Sequence, residues 1–304
     1  MGRGAKDKRD IYYRKAKEDG WRARSAFKLL QIDETFDIFS GVRNVIDLCA
    51  APGSWSQVLS RKLYLPAKDA GATGEELPRI VAVDLQPMAP IEGVVQLQGD
   101  ITTEATARAV VDALGGAPAD LVVSDGAPDV TGLHDLDEFV QSQLILACCT
   151  IVASVLRPGG SFVAKVFRGR EAALLYAQLK VLFADVSIAK PRSSRNSSVE
   201  AFVVCRGYAP PRGATAADVR AALADAAAAQ GAPGVAEPLR SMARFVACGD
   251  LSAYDADRSY DLDPGYERLA PVQPPIAPAY LAAVQRTRQG GAGEAAQGAA
   301  NGNK

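Results

Sequence analysis

Acidic and basic residues stand where apolar runs of this chain end or are interrupted, and their types suit one kind of chemistry. Asp84 closes RIVAVD, Asp100 closes VVQLQGD, and Asp125 follows LVVS. Asp47 precedes a turn, Ala50-Ala51-Pro52-Gly53, from which Ser54-Trp55 opens a helical run. Any one of these acids is most simply a helix or turn cap. Four at successive strand ends describe a ligand site. Asp84 is placed to accept hydrogen bonds from a ribose diol, as an acid ending a second strand commonly does. Asp100 can accept from an exocyclic amine. The turn offers backbone N–H groups but lacks both GxGxxG and GxxxxGK[ST], and no cation stands there to meet a pyrophosphate. A cofactor that joins adenosine to an amino acid and carries its own positive charge fits such a set. S-adenosylmethionine is that molecule.

A second group overlaps the first. Lys165 interrupts the apolar run Phe162-Val163-Ala164-Lys165-Val166-Phe167, Glu200 opens VEAFVVC, and Lys28 follows Ala26-Phe27. Desolvating an unpaired ammonium costs several kcal/mol, so a lysine in such a strand needs an acidic partner or an exit to water. Lys28, Lys165, Asp125 and Glu200 can converge at one sheet edge.

The elements that must bring these residues together alternate between strand and helix. Residues 9–31 read as a partly amphipathic helix broken near Gly20. Strands are expected at 42–48, 79–84, 94–100, 121–124 and 160–167, followed by a closing pair at VSIAK and 199–205. Helices are expected from Ser54 onward and over 104–114, 138–156 and 171–183, the third of these closed by Arg157-Pro158-Gly159-Gly160. Residues 65–78, polar and punctuated by Gly and Pro, read as an inserted loop. This spacing predicts a Rossmann-like α/β fold, a mostly parallel seven-stranded sheet with helices on both faces. The catalytic domain is expected to span 1–207. An alanine-rich insert or linker follows over 208–238, then an extension over 239–282 packed on the domain and a disordered tail over 283–304.

Composition narrows the class. The chain has 304 residues, 48% of them hydrophobic and 23% charged, which suits a globular protein with a sizeable core. Its five cysteines, at 49, 148, 149, 205 and 248, form no CxxC pair and are odd in number. That pattern excludes a disulfide framework and argues against a zinc cluster. No run reads as a membrane span, and the basic N-terminus lacks an apolar secretory core. A cytoplasmic protein with reduced thiols is expected. The formal net charge of −1 conceals two basic segments, 1–28 and 157–206, each with a surplus of +6. Such concentration suits local binding of a polyanion.

DLCAAPGSWSQVL, VAVDLQPM, GDIT, SDGAPDVTG, LRPGGSFVAKVFRG and KPRSSRNSSVEAFVVC together resemble the FtsJ-type RNA ribose 2′-O-methyltransferases. YYRKAKEDGWRARSAFKL and FVACGDLSAYDADRSY are similar to the eukaryotic subgroup that modifies the tRNA anticodon loop. The likeness is dense over 1–207 and returns at about 240–282. It implies a catalytic tetrad at Lys28, Asp125, Lys165 and Glu200, with cofactor contacts at Gly53, Trp55, Asp84, Asp100 and Asp125. It implies no metal, a tRNA substrate, and accessory protein subunits that help choose the nucleotide. The acidic, tyrosine-bearing 248–268 region and the proline stretch after it suit docking of such a subunit. Lys6, Arg9, Arg14, Arg22 and Arg24, with Arg168, Arg170, Arg192 and Arg195, are then candidates to track the RNA backbone. Tyr12, Tyr13 and Trp21 are candidates either to stack on splayed bases or to pack in the core.

Rival readings lack their key residues. A cytosine-5 methyltransferase of the Sun type shares the DxCAAPG turn but needs a cysteine after the fourth strand, where this chain has Asp125-Gly126-Ala127-Pro128-Asp129. Cys49 reads as a buried strand-end residue, not a nucleophile. A nicotinamide dehydrogenase lacks its glycine fingerprint here. A non-catalytic RNA-binding scaffold, or a 2′-O-methyltransferase of ribosomal RNA or the messenger cap, remains the alternative. His134, the lone histidine, is assigned no role.

Overall fold

Period-two alternation of the apolar runs decides the architecture. Among the described residues seven strands form: β1 (Asn44–Leu48), β2 (Arg79–Asp84), β3 (Val94–Gln98), β4 (Ala119–Ser124), β5 (Leu156–Phe167), β6 (Phe183–Ala189) and β7 (Glu200–Tyr208). They make one sheet in the order β3-β2-β1-β4-β5-β7-β6, in which β7 runs antiparallel to β5 and β6 and the other pairs are parallel. The computed structural model describes residues 11–127, 134–169, 172–195, 197–215, 217–219, 222 and 265. The chain divides into two units, Met1–Val246 and Ala247–Lys304, and the description concerns the first. Lys6, Arg9, Arg170, the 239–282 extension apart from Gly265, the 283–304 tail and most of the alanine-rich segment lie outside the described residues.

Successive strand side chains point to opposite faces, and each face is covered by helices. Ile46, Val81, Val122 and Phe162 pack with residues of α5 (Glu104–Ala113), α6 (His134–Val155) and α7 (Ala172–Leu182). Their neighbours Val45, Ile80, Leu121, Val123 and Val163 pack, with Phe202 and Val204, against Leu29 and Ile32 of α2 (Ala26–Phe36) and Trp55 and Val58 of α3 (Ser54–Leu59). Each such fully buried aliphatic side chain contributes about 1.5–3 kcal/mol relative to exposure. The chain order reverses between β1 and β4, which is where open sheets of this kind bind ligands.

The N-terminal helix is broken near Gly20, as its sequence leads one to expect: α1 (Ile11–Glu18) and α2 are separate helices, and Gly20 between them adopts a φ of 72°. Three other expectations need correction. Residues 65–78 are not a featureless loop. The helix begun at Ser54 continues through a π-turn, Ser60–Tyr64, into α4 (Leu65–Asp69), and a 3₁₀ turn, Gly74–Glu76, follows with Thr73 and Glu76 in a reciprocal capping box. Arg157-Pro158-Gly159-Gly160 does not separate helix from strand but lies within β5, as an outward bulge. Ala119 pairs with Leu156, while Leu121 already pairs with Ser161. Finally, Asp137–Val155 of α6 is long and apolar enough to cross a membrane, contrary to the reading of the sequence. It is a core helix here, with Ile145, Cys148, Cys149, Ile151 and Val152 buried against the sheet.

Candidate active site

Strand parity carries the ionisable residues to one face. Asp125 continues the alternation of Leu121 and Val123, Lys165 that of Val163, and Glu200 that of Phe202 and Val204. All three therefore project toward α2, which carries Lys28. Lys165 pairs across the sheet with Phe202, and Glu200 is opposite Phe167. The four side chains meet. Lys165 Nζ lies 3.1 Å from Asp125 Oδ1 and also donates to the Asp125 carbonyl. Lys28 Nζ lies 2.7 Å from Glu200 Oε2 and 3.9 Å from Asp125 Oδ1. Lys28 also rests over the Phe202 ring, 5.6 Å from its centroid.

The four side chains are 10–18% exposed, enough to meet a substrate without being surrounded by water. Glu200 Oε1 accepts a hydrogen bond from Ser194 Oγ at 2.8 Å. Burial alone raises the Glu200 pKa. The Lys28 charge, the hydrogen bonds from Lys28 and Ser194, and the Lys165 charge overcome that and hold it below the ordinary glutamate value.

Beside the tetrad lies a cleft of about 860 Å³, walled by Cys49, Ala51, Pro52, Asp84, Gly99, Asp100, Asp125 and Gly126 among others. Asp125 belongs to both groups. Asp84 Oδ2 accepts from the Ala51 N–H and Oδ1 from the Gln86 N–H, each at 2.8 Å, so the carboxylate also fastens the turn after β1 to the loop after β2. Its remaining lone pairs are available to a ligand. Asp100 is exposed, and the backbone N–H and hydroxyl of Thr102 both donate to Oδ1 and hold its pKa below the ordinary value. Oδ2 is left to a ligand. Gly53 is buried behind the turn at a φ of 97° and caps α3.

Trp55 departs from its expected place. It is 2% exposed and is not part of the cleft wall. Its ring packs 5.7 Å from that of Phe202, and its Nε1–H donates to the Ser25 carbonyl at 2.9 Å. A large amphipathic ring on the inner face of α3 buries its body and finds a partner for its one polar atom. In doing so it holds the residue that precedes α2, and so supports Lys28 from behind.

The arginines also separate. Arg168, Arg192 and Arg195 are exposed, beside the end of β5 and in the loop leading to Glu200. Arg24 is half-buried, donates to the Ser193 carbonyl and lies 6.0 Å from the Tyr12 ring centroid. It anchors the Ser193–Ser194 loop to the N-terminal segment. Arg22 lines the cleft, bonded to three main-chain carbonyls. Neither lies on an open surface as its charge suggests. The aromatics are occupied too: Arg61 covers Trp21 at 4.2 Å, Tyr12 packs against Phe27, and Lys17 lies over Tyr13. Cys49 is a half-buried wall residue at a φ of 56°, not a fully buried one, and burial together with the Asp84 charge pushes its thiol up to about 12.

One polar residue escapes sequence reasoning, and one acid of the four expected at the ligand site stands outside the cleft wall. Gln141 of α6 is 2% exposed, and its Nε2 donates to the Gly126 carbonyl at 3.1 Å and the Lys165 carbonyl at 2.8 Å. It ties together the two strand ends that carry Asp125 and Lys165. Asp47 is fully buried behind the cleft, with Oδ2 accepting from Ser56 Oγ at 2.5 Å and Oδ1 without a partner. Burial, augmented by the charges of Asp125 and Asp84 and opposed by Ser56, raises its pKa to about 7.

Residues 21–208 match the FtsJ-like methyltransferase family. A human tRNA (cytidine(32)/guanosine(34)-2′-O)-methyltransferase is 56% identical over 294 residues, covering 95% of this chain and 86% of the human protein. The Schizosaccharomyces pombe protein of the same description is 55% identical, covering 94% of this chain and 97% of its own length. A crystal structure of a Plasmodium falciparum ribosomal RNA methyltransferase (putative in its own description) shares the fold, with a TM-score of 0.54 at 23% identity. That match covers 63% of this chain and all of that one. A family match across this much of the chain, with relatives identical at more than half of the aligned positions, leaves one assignment: the chain belongs to the FtsJ-like methyltransferase family.

Proposed function

We propose that this protein transfers the methyl group of S-adenosylmethionine to the ribose 2′-hydroxyl of tRNA anticodon-loop nucleotides 32 and 34. The observation that carries the reading is the meeting of Lys28, Asp125, Lys165 and Glu200 at the edge of the cleft. Similarity over nearly the whole chain to enzymes so described supports the choice of tRNA.

The cleft suits the cofactor. Pro87, Met88, Ile101, Val140 and Leu144 offer apolar wall to an adenine, while Asp84, Asp100 and Asp125 offer acceptors to hydroxyls, amines and positive charge. When bound, S-adenosylmethionine supplies a methyl group carried on a positively charged sulfur. The chain's own residues do the rest. A ribose hydroxyl is a weak nucleophile, and its proton must leave as the methyl arrives. Lys165 Nζ, at the cleft's edge, holds that oxygen and, in its neutral form, accepts the proton. Asp125 fixes Lys165 in place, and Lys28, itself fixed by Glu200, keeps positive charge beside the pair. Alignment of the reacting atoms by these contacts is worth about 7–11 kcal/mol in well-ordered sites. Arg168, Arg192 and Arg195, exposed around the same strand ends, are the phosphate contacts in this reading.

Incubation with labelled S-adenosylmethionine and an unmodified tRNA transcript, followed by digestion and mapping, tests the proposal. Label in 2′-O-methylnucleosides at positions 32 and 34 supports it. Label on a cytosine ring carbon favours the cytosine-5 reaction, and no label on any RNA favours a binding scaffold. An accessory subunit belongs to this reading: its addition changes which nucleotide is labelled but not the dependence on Lys165.

A further inference from the structure

Three main-chain carbonyls converge on one guanidinium at the wall of the cleft. Arg22 Nη1 donates to Pro52 O at 3.0 Å, and Nη2 donates to Ala89 O at 2.8 Å and Pro90 O at 3.0 Å. Pro52 belongs to the turn after β1, while Ala89 and Pro90 belong to the loop after β2. Both segments wall the cleft, as does Arg22 itself. A second feature is fitted to the first. Gly53 is buried, and a Cβ there would lie 2.6 Å from Arg22 Nη1 and 2.9 Å from Ile91 Cδ1. Glycine at this position leaves room for the guanidinium.

The segment that carries Arg22 is bound along its length to the start of α3. The Arg22 N–H donates to Gln57 Oε1 at 2.7 Å, and the Ser25 carbonyl accepts from Trp55 at 2.9 Å. Three residues past Ser25 the same segment delivers Lys28 to the tetrad.

We propose that Arg22 is a positioning residue for the cofactor. Its guanidinium ties the two loops that wall the cleft and sets the width of the opening. The N-terminal segment that completes the tetrad thus also governs how well the cleft holds its ligand. The inference rests on reading the cleft as the S-adenosylmethionine site. Arginine suits the task because its planar fork of donors can reach several carbonyls at once, whereas a lysine ammonium is a single point.

Titration calorimetry of the intact protein with S-adenosylhomocysteine tests this, with anisotropy of a labelled anticodon stem-loop as the second readout. Losing hydrogen bonds from a charged donor weakens S-adenosylhomocysteine binding roughly tenfold or more in Arg22→Ala, with Arg22→Lys intermediate and RNA affinity little changed. Gly53→Ala also weakens binding, and in the double variant the two losses are less than additive, because part of the Gly53→Ala loss comes through the Arg22 guanidinium. Unchanged S-adenosylhomocysteine affinity in Arg22→Ala, with RNA affinity reduced, overturns the proposal in favour of a simple phosphate contact. Arg22→Lys carries the test if the alanine variant does not fold, and wild-type affinity there overturns it equally. Wild-type protein that binds no S-adenosylhomocysteine overturns the reading of the cleft and this inference with it.

Discussion

Lys165 and Asp125 leave the ends of adjacent parallel strands, and their side chains meet with Nζ 3.1 Å from Oδ1. The contact follows from register. Ser124 pairs with Ala164, so the next residue on each strand, Asp125 and Lys165, emerges on the same face. A slip of one residue would send one of them to the opposite side of the sheet. The bulge at Leu156–Gly160 absorbs the mismatch at the far end of the pair and leaves this end in step.

Lys165→Ala is predicted to lower methyl transfer by about 10²–10⁴-fold, the usual contribution of a positioned proton acceptor. S-adenosylhomocysteine affinity should stay close to wild type, since Lys165 is not part of the cleft wall. Single-turnover rates beside calorimetry check this. Equal losses in rate and affinity would move Lys165 into the cofactor site.

Glu200→Gln is predicted to destabilise the fold by about 1–3 kcal/mol at pH 7, as loss of a hydrogen-bonded charge does. The folded carboxyl has a pKa below its ordinary 4.5. Its contribution is therefore present above 4.5 and lost as pH falls through the lowered folded value. Denaturant titrations of wild type and variant should differ at pH 7 and converge in acid. A constant difference would contradict the ion pair as its source.

Asp47 gives the opposite sign. Its pKa rises from 3.8 to about 7 on folding, so the folded state holds the proton more tightly. Stability from this group is full below 3.8 and declines as pH rises through about 7. Asp47→Asn, which cannot ionise, should flatten that decline, read as melting temperature against pH from 4 to 8. An unaltered slope would place the titration elsewhere.

Gln141→Leu keeps the volume but removes both hydrogen bonds to the Gly126 and Lys165 carbonyls. A cost of about 1–3 kcal/mol in stability is expected from the stranded acceptors. The diagnostic readout is a fall in kcat larger than any rise in cofactor KM, because the residue holds the strand ends and not the cleft mouth. Gln141→Glu should be worse than leucine, since it turns an acceptor toward two carbonyls. A pure KM effect would refute this role.

The sheet and tetrad were legible because strand parity is written in the sequence. Each of Asp125, Lys165 and Glu200 interrupts or ends an apolar alternation, and an ionisable residue there must find a partner. Arg22, Gln141 and Trp55 left no such mark. Arg22 and Gln141 bond main-chain carbonyls, which every residue has, so no second side chain signals the contact. Trp55 sits where an exposed and a buried ring look alike until the packing of α2 on α3 is known. Leu65–Asp69 was hidden by Pro66, which reads as a breaker but is tolerated in the first turn of a helix.

Which atom receives the methyl group decides the account. A tRNA carrying a single 2′-deoxyribose at nucleotide 32 or 34, offered with labelled S-adenosylmethionine, removes only the oxygen at issue. The predicted result is loss of label at the deoxy nucleotide and retention at the other. Label persisting at the deoxy position would mean that the base is the acceptor, and would contradict ribose methylation by this site.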